Sequence, residues 1–326
     1  MEALIQNTNT SKNNRKYYLL LVLTSLMWAG NFVTGKFLIG HTSALTITDL
    51  RWAIADVVLL PVAWVADKKL LPPLRALFPL ALMALTGVIT FNLFTYLALQ
   101  HTTSDNVGLI SALNPIAIAI ASFIFLRERL RIRQIAGMLV SLFGVIVVVT
   151  KGHLGDLAQF QVNTGVWLML IAVASWGLYA VAGRFAVKHV SAYGATLWAG
   201  TLGVLFMLPF DLPTLSFQNL NVPFWSSIVY TAVGGTVVAM ILWNIGVQRV
   251  GGTQSGIFLN FNPIFTAILA FLLMGETIQI SQMVGTLIVI AGVSIFAIQR
   301  GRKQKPEECV LAFKPDSINS GASIRG

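Results

Sequence analysis

The sequence predicts an all-α integral membrane protein, with ten transmembrane helices arranged as two inverted five-helix repeats around a central cavity. Three observations lead to this fold class: an apolar composition, ten long apolar windows and an internal repeat. Hydrophobic side chains make up 56% of the 326 residues and charged ones only 10%, against about 25% charged in soluble domains. So few charges argue against a cytosolic enzyme, a secreted domain or a disordered chain, and they indicate a chain dissolved in a bilayer.

Ten windows are long enough for a helix to cross the ~30 Å hydrocarbon layer, which takes about 20 mainly apolar residues. They are residues 17–38, 45–66, 75–98, 105–126, 132–150, 164–187, 192–210, 223–248, 253–274 and 280–299. The runs lack the period-two alternation of barrel strands, so helices are expected throughout. In chain order, the expected segments are a cytoplasmic N-terminus (1–16), a first repeat (17–150), an external linker (151–163), a second repeat (164–299) and a disordered cytoplasmic tail (300–326).

The lysine and arginine residues predict the orientation of these spans, because such residues are enriched in cytoplasmic loops. With a cytoplasmic N-terminus, 19 of the 22 fall on the inner side and one, Lys151, falls in an outer loop. The remaining two, Lys36 and Arg51, lie within or near spans. The distribution predicts a multi-pass protein of the cell membrane with both termini in the cytoplasm. It also accounts for the net charge of +10 without a nucleic acid partner. The lipid bilayer is therefore the expected surroundings of the chain.

The second half of the chain repeats the first half after a shift of 148 residues, without a gap. The aligned identities include Trp28 with Trp176, Gly87 with Gly235, Asn114-Pro115 with Asn262-Pro263, Glu128 with Glu276, and Gly144 with Gly292. Because each repeat holds five spans, an odd number, the second repeat enters the membrane from the opposite side. Inverted repeats of this kind allow a site at the midplane to be exposed to one side and then to the other.

With these motifs, the chain resembles ten-span members of the drug/metabolite transporter superfamily, which consist of two EamA domains. The motifs that carry the resemblance are Trp28-Ala29-Gly30 and Trp176-Gly177 in the first helices, and Gly108…Asn114-Pro115…Glu128 and Gly256…Asn262-Pro263…Glu276 in the fourth helices. The resemblance covers about residues 17–299, and its motifs are specific for the fold but weak for the substrate. It implies a basket of ten helices around a cavity lined by the first, third and fourth helices of each half, and export of metabolites or drugs.

Eleven residues of these helices are candidates for the cavity wall. They are Trp28, Asn92, Tyr96, Asn114, Pro115, Trp176, Tyr179, Trp243, Asn244, Asn262 and Pro263. Each proline disturbs its helix near mid-span and frees polar backbone groups, which must face protein, water or substrate; a packing kink is the alternative. The aligned tryptophans lie too deep for an interfacial belt, so they either line the cavity or pack in the core.

Ionisable residues supply candidates for coupling and for gating. Arg51 and Asp56 lie within the second span, where a charge is costly, and Asp56 is the candidate for proton coupling. A structural salt bridge to another helix is the alternative for Asp56. The latch hypothesis pairs Lys36 with Glu276 on the outer side and Arg184 with Glu128 on the inner side. Snorkelling of these side chains to lipid headgroups is the alternative.

The sequence thus predicts a secondary transporter that exports a small neutral, zwitterionic or amphipathic metabolite, amino acid-like or drug-like, by alternating access. The proton is the candidate coupling ion, and no catalytic residue, cofactor or metal site is expected. The sequence has neither a phosphate loop nor metal-ligand spacing, and it contains a single cysteine, Cys309. Two alternatives stay open: an intramembrane enzyme or lipid-handling protein that uses the same cavity, and a channel or structural membrane protein. A monomer and a homodimer are equally compatible with the sequence.

Overall fold

The computed structural model describes residues 2–68, 71–127, 131–149, 163–250, 258–259, 261–276 and 279–297. The helices of the first repeat are α1 (Glu2–Lys36), α2 (Ala44–Asp67), α3 (Leu74–Met83), α4 (Phe91–His101), α5 (Ser104–Ser111), α6 (Asn114–Leu126) and α7 (Ile132–Val149). Those of the second are α8 (Thr164–Ala186), α9 (Ala192–Asp211), α10 (Val222–Val229), α11 (Ala239–Val250), α12 (Phe261–Met274) and α13 (Ile280–Ala297). Two π-helical segments, π1 (Ala84–Thr90) and π2 (Tyr230–Val238), join α3 to α4 and α10 to α11. Helix α1 begins at Glu2, well before the predicted first span at residue 17.

Six helical runs of the described chain are long and apolar enough to cross a membrane. They are Arg15–Lys36, Leu74–His101, Ser104–Leu126, Thr164–Ala186, Ala192–Thr214 and Val222–Gly246. Three shorter apolar helices occupy Ile132–Val147, Phe261–Met274 and Ile280–Ile295. Helix α2 has 24 residues and is apolar, but it carries four charged side chains, Asp49, Arg51, Asp56 and Asp67, more than a typical span. The structure therefore confirms an all-helical membrane fold, while the number of ten crossings remains part of the proposal below.

Equivalent helices of the two repeats start at equivalent residues. The starts that lie 148 residues apart are Ala44 and Ala192, Leu74 and Val222, Phe91 and Ala239, and Ile132 and Ile280. At α2 and α9 the cause is a serine N-cap: the hydroxyl oxygens of Ser43 and Ser191 each accept a hydrogen bond of 3.0 Å from a backbone N–H in the first turn. Without a cap these N–H groups would lack partners.

The Asn-Pro motif breaks the fourth helix of the first repeat. Helix α5 ends at Ser111 and α6 begins at Asn114, so Pro115 lies in a first helical turn, where its missing N–H is tolerated. In the second repeat, Asn262-Pro263 lies in the same place, directly after the start of α12. The disturbance predicted at mid-span thus takes the form of a helix end followed by a new helix start.

Large apolar side chains cover much of the outer surface of the helices. Val57, Phe78 and Phe210 are each more than 70% exposed. In contrast, many small hydroxyl side chains are buried, and they donate to a carbonyl four residues earlier, as Thr48 does to Ala44 at 2.8 Å. An apolar exterior around satisfied polar groups is the arrangement that lipid surroundings require.

The repeats pack against each other through exchanged contacts. Helix α1 packs on α11 and α12, and its equivalent α8 packs on α4 and α6. A β-carbon at Gly87 would overlap Tyr179, and one at Gly235 would overlap Asn31, which is the equivalent of Tyr179 under the shift of 148 residues. Such exchange of contacts is the mark of a twofold relationship between the repeats.

Candidate functional site

A cavity of about 400 Å³ lies between the two repeats. Nine of the eleven predicted wall residues line it: Trp28, Asn92, Tyr96, Asn114, Trp176, Tyr179, Trp243, Asn244 and Asn262. The remaining two, Pro115 and Pro263, are absent from the wall. Each proline directly follows a wall asparagine in the first turn of its helix.

Aromatic rings form two apolar walls of this cavity. On one side the rings of Trp28 and Trp243 lie 5.3 Å apart between centroids. On the other side Trp176 packs against Phe91 at 4.7 Å and against Tyr179 at 4.8 Å. The stacked and tilted geometries are the favourable ones for aromatic pairs. In each wall, a tryptophan from the first helix of a repeat packs against an aromatic ring of another helix at the cavity. A flat apolar group of a bound molecule would therefore have two aromatic surfaces to contact.

Arg51 reaches the cavity from α2 and bridges the two repeats. Its Nη1 donates to Asn92 Oδ1 at 2.7 Å and to Tyr96 Oη at 3.3 Å, both in the first repeat. Its Nε and Nη2 donate to Thr236 Oγ1 in the second repeat, at 3.1 and 2.8 Å. All of these partners are neutral. Among the described residues, two charged side chains line the cavity, and both are arginines, Arg51 and Arg184.

Amide side chains contribute polar groups to the same wall. The Oδ1 atoms of Asn31, Asn114 and Asn262 are buried and have no hydrogen-bond partner in the described part of the chain. The same holds for Nδ2 of Asn244. A buried polar group without a partner is costly, so these four amides mark the polar part of the wall.

Asp56 lies away from the cavity, between α2 and α9. Its Oδ2 accepts a hydrogen bond from Thr201 Oγ1 at 3.1 Å, and its Oδ1 is buried without a partner among the residues described. The side chain also packs closely against Gly200. Arg51 and Asp56 therefore face different neighbours, as their spacing on one helix predicts.

Lys36 and Glu276 lie near each other, outside the residues that line the cavity. Lys36 Nζ donates to the backbone carbonyl oxygens of Leu99 and Thr102, the second at 2.8 Å. Glu276 Oε1 accepts from Ser104 Oγ at 3.1 Å, and the charges of Lys36 and Glu276 interact. Within the described chain no salt bridge of 4.0 Å or less joins the pair. Instead, Lys36 of α1 bonds to carbonyl oxygens at the end of α4, and Glu276, just after α12, bonds to the serine hydroxyl at the start of α5.

Arg184 and the contacts of Glu276 differ in exposure. Arg184 lines the cavity and is exposed, whereas Ser104, which donates to Glu276, is completely buried. Glu128, the predicted partner of Arg184, lies outside the described residues. The cavity wall therefore includes an exposed side chain at Arg184, while Ser104 is buried and lies outside the wall.

Several wall residues were missed by the sequence patterns. Asn31, Phe91 and Thr236 line the cavity, and π1 and π2 lie beside it. The alignment of Gly87 with Gly235 was a usable signal, since these glycines lie inside the π-helical segments and contact the first helix of the other repeat. In the described residues, no group of three or more His, Cys, Asp or Glu side chains is arranged to hold a metal ion.

Comparisons with known proteins agree with this architecture. The profile of the EamA-like transporter family matches residues 15–150 and 163–298. An uncharacterized transporter of Archaeoglobus fulgidus is 30% identical over 285 residues, which cover 86% of this chain and 96% of that protein. A probable terminal-alkyne amino-acid exporter of Streptantibioticus cattleyicolor is 27% identical over 280 residues, covering 84% of this chain and 91% of that one. A solved crystal structure has the same fold, with a TM-score of 0.62 at 20% identity, and the match covers 86% of this chain and 96% of that one.

Proposed function

We propose that this chain, which belongs to the EamA-like transporter family, is a secondary transporter that exports a small neutral, zwitterionic or amphipathic metabolite by alternating access. The observation that carries the proposal is the cavity between the two repeats, whose wall includes the exposed Arg184, while Ser104, the partner of Glu276, is buried outside that wall. Ten membrane crossings, in two repeats of opposite orientation, complete the proposed architecture. Both termini then lie in the cytoplasm and the Lys36 end faces outward.

The exchanged contacts between the repeats support alternating access. Because each repeat makes equivalent contacts with the other, the two halves can exchange conformations, which opens one end of the cavity as the other closes. In the proposed cycle, the bonds of Lys36 to Thr102 and of Ser104 to Glu276 hold the outer end closed in one of the two states. The hypothesised inner latch of Arg184 and Glu128 would take over in the outward-facing state.

The wall favours an amino acid-like substrate over a purely apolar one. Aromatic rings can contact an apolar side chain, and the asparagine oxygens can accept hydrogen bonds from substrate N–H groups. A relative that is a probable terminal-alkyne amino-acid exporter supports this substrate class. Asp56 is the candidate for proton coupling, since its carboxyl is held between two helices that pair across the repeats.

Counterflow in proteoliposomes tests the proposal. Purified protein is reconstituted with an unlabelled amino acid inside, and uptake of the same labelled amino acid is followed over a panel of polar, aliphatic and aromatic amino acids. At least one of them is expected to show saturable uptake and transient accumulation above equilibrium. Non-saturating flux without accumulation would indicate a channel, and conversion of the added compound to a product would indicate an enzyme.

A further inference from the structure

We infer that the Arg51 guanidinium binds a carboxylate of the transported molecule, so that the substrate is a small monocarboxylate with an apolar or aromatic body. The inference rests on the proposed transport function, because it assigns a substrate class to the same cavity. It starts from a cation in the wall whose hydrogen-bond partners are all neutral.

The guanidinium group of an arginine is a cation in proteins. Its described partners are two hydroxyl groups and one amide, and no described carboxylate lies within ion-pair distance of it. A cation within a membrane span is costly unless it pairs or faces a polar cavity. A substrate anion would supply the missing negative charge.

The neutral partners hold the guanidinium in position. Asn92 Nδ2 donates to the carbonyl oxygens of Gly87 and Val88, both at 2.9 Å, which directs Asn92 Oδ1 toward Arg51. The Thr236 hydroxyl donates to the carbonyl oxygen of Thr231 at 2.9 Å, which leaves its oxygen to accept from Arg51. These carbonyls belong to π1 and π2, so both π-helical segments help to orient the cation before a ligand arrives.

The hydrogen-bond count leaves room for a ligand. Guanidinium has five N–H donors, and the four bonds of Arg51 use Nε, both hydrogens of Nη1 and one of Nη2. One Nη2 hydrogen remains, and the Nη1 bond to Tyr96 is the longest of the four at 3.3 Å. A carboxylate that takes the remaining N–H and displaces Tyr96 would form the paired bonds that arginine favours.

The rest of the wall selects a monoanion over a phosphate. Arg184, the other charged wall residue among those described, lies at the exposed end, so a dianion beside Arg51 would face one cation at close range. The aromatic walls formed by Trp28 with Trp243, and by Trp176 with Phe91, suit an apolar body. A single carboxylate on such a body matches both features.

Four probes that share a phenyl body separate these features: 3-phenylpropionate, L-phenylalanine, phenethylamine and 3-phenylpropanol, with phenyl phosphate as a fifth. Thermal unfolding of the detergent-purified full chain is measured over a concentration series of each. The two carboxylates are expected to give the same rise in unfolding temperature at concentrations at least about tenfold lower than the amine and the alcohol, a ratio that corresponds to about 1.4 kcal/mol. Arg51→Gln should remove this preference, Arg51→Lys should retain part of it, and Arg75→Gln, which changes an exposed arginine of α3, should leave it unchanged.

Three results would overturn the inference: equal stabilisation by the alcohol, tighter binding of phenyl phosphate than of 3-phenylpropionate, and a carboxylate preference that persists in Arg51→Gln. If Arg51→Gln does not fold, the wild-type series alone tests the preference for a carboxylate over the alcohol and the phosphate. Counterflow of the same probes separates this inference from the proposed function. Saturable 3-phenylpropionate counterflow that is unchanged in Arg51→Gln would contradict the carboxylate site and leave transport standing. Carboxylate-selective binding without counterflow of any bound probe would contradict transport and leave the site standing.

Discussion

In the first repeat, α2 brings Arg51 to the cavity, whereas the equivalent residue of the second repeat, on α9, is the buried Ala199. Similar differences recur around the wall, where Tyr96 corresponds to Asn244 and Asn31 corresponds to Tyr179. The helix starts, the π-helical segments and the close glycine contacts are, in contrast, shared by both repeats. The comparison teaches that the shared backbone carries the symmetry needed for exchange of conformations. The side chains that differ are those able to recognise a substrate that has no symmetry of its own.

The largest expected effect concerns Asp56, whose equivalent in the second repeat is Val204. Asp56→Asn keeps the size of the side chain but cannot bind and release a proton. If Asp56 couples transport to protons, this variant should abolish proton-driven uptake in proteoliposomes while counterflow, which needs no proton gradient, persists. Undiminished proton-driven uptake in Asp56→Asn would remove this carboxyl from the coupling mechanism.

A second prediction uses two tryptophans of the same helix, α8. Trp176 lines the cavity and contacts Phe91, whereas Trp167 is 57% exposed on the outer surface. Trp176→Ala should reduce the saturable counterflow rate by about tenfold or more, because loss of a buried aromatic contact removes roughly 1.4 kcal/mol or more of binding free energy. Trp167→Ala, which changes the same residue type outside the cavity, should transport at close to the wild-type rate. Equal effects of the two variants would argue against a substrate path through this cavity.

A third prediction sharpens the symmetry itself. Alanine at Gly87 or Gly235 would force a β-carbon into Tyr179 or Asn31, respectively, so each variant should lose about 1–3 kcal/mol of stability, the usual cost of overpacking. Gly183→Ala is the matched control, since a β-carbon there meets only the flexible end of Met83, at 3.9 Å. Thermal unfolding in detergent measures all three variants. Tolerance of alanine at one of the two π-helix glycines but not at the other would break the proposed equivalence of the repeats.

The sequence predicted the helices well because their determinants are local and repeated. Long apolar runs locate the helices, and the capping residues Ser43 and Ser191, which lie 148 residues apart, set equivalent starts in both repeats. The asparagines of the Asn-Pro motifs were placed in the cavity wall for a reason that sequence alone supplies, namely that proline interrupts a helix and leaves polar groups to be satisfied.

The rest depends on contacts between distant segments. The π-helical segments have no period in the sequence that distinguishes them from α-helix, and their bonds from side chain to a carbonyl five residues earlier emerge only from coordinates, as for Thr236 and Thr231. The bridge from Arg51 to Thr236 joins residues of different repeats, so neither helix alone predicts it. The latch of Lys36 with Glu276 stays a prediction, and the hydrogen bonds of these residues to Leu99, Thr102 and Ser104 depend on neighbouring segments that the repeat does not reveal.

Labelling of a cysteine in the cavity from each side of the membrane tests the central claim, that one cavity between two repeats is opened alternately. Ser111→Cys places a thiol in the wall, in a Cys309→Ser background that removes the native cysteine. A membrane-impermeant thiol reagent should reach this cysteine from the Arg184 side and react much more slowly from the Lys36 side. Glu276→Gln, which weakens the seal with Ser104 and Lys36, should increase labelling from the Lys36 side several-fold. Equal labelling from both sides in the protein that retains Glu276 would contradict the claim. Labelling from the Lys36 side that does not increase in Glu276→Gln would contradict it as well.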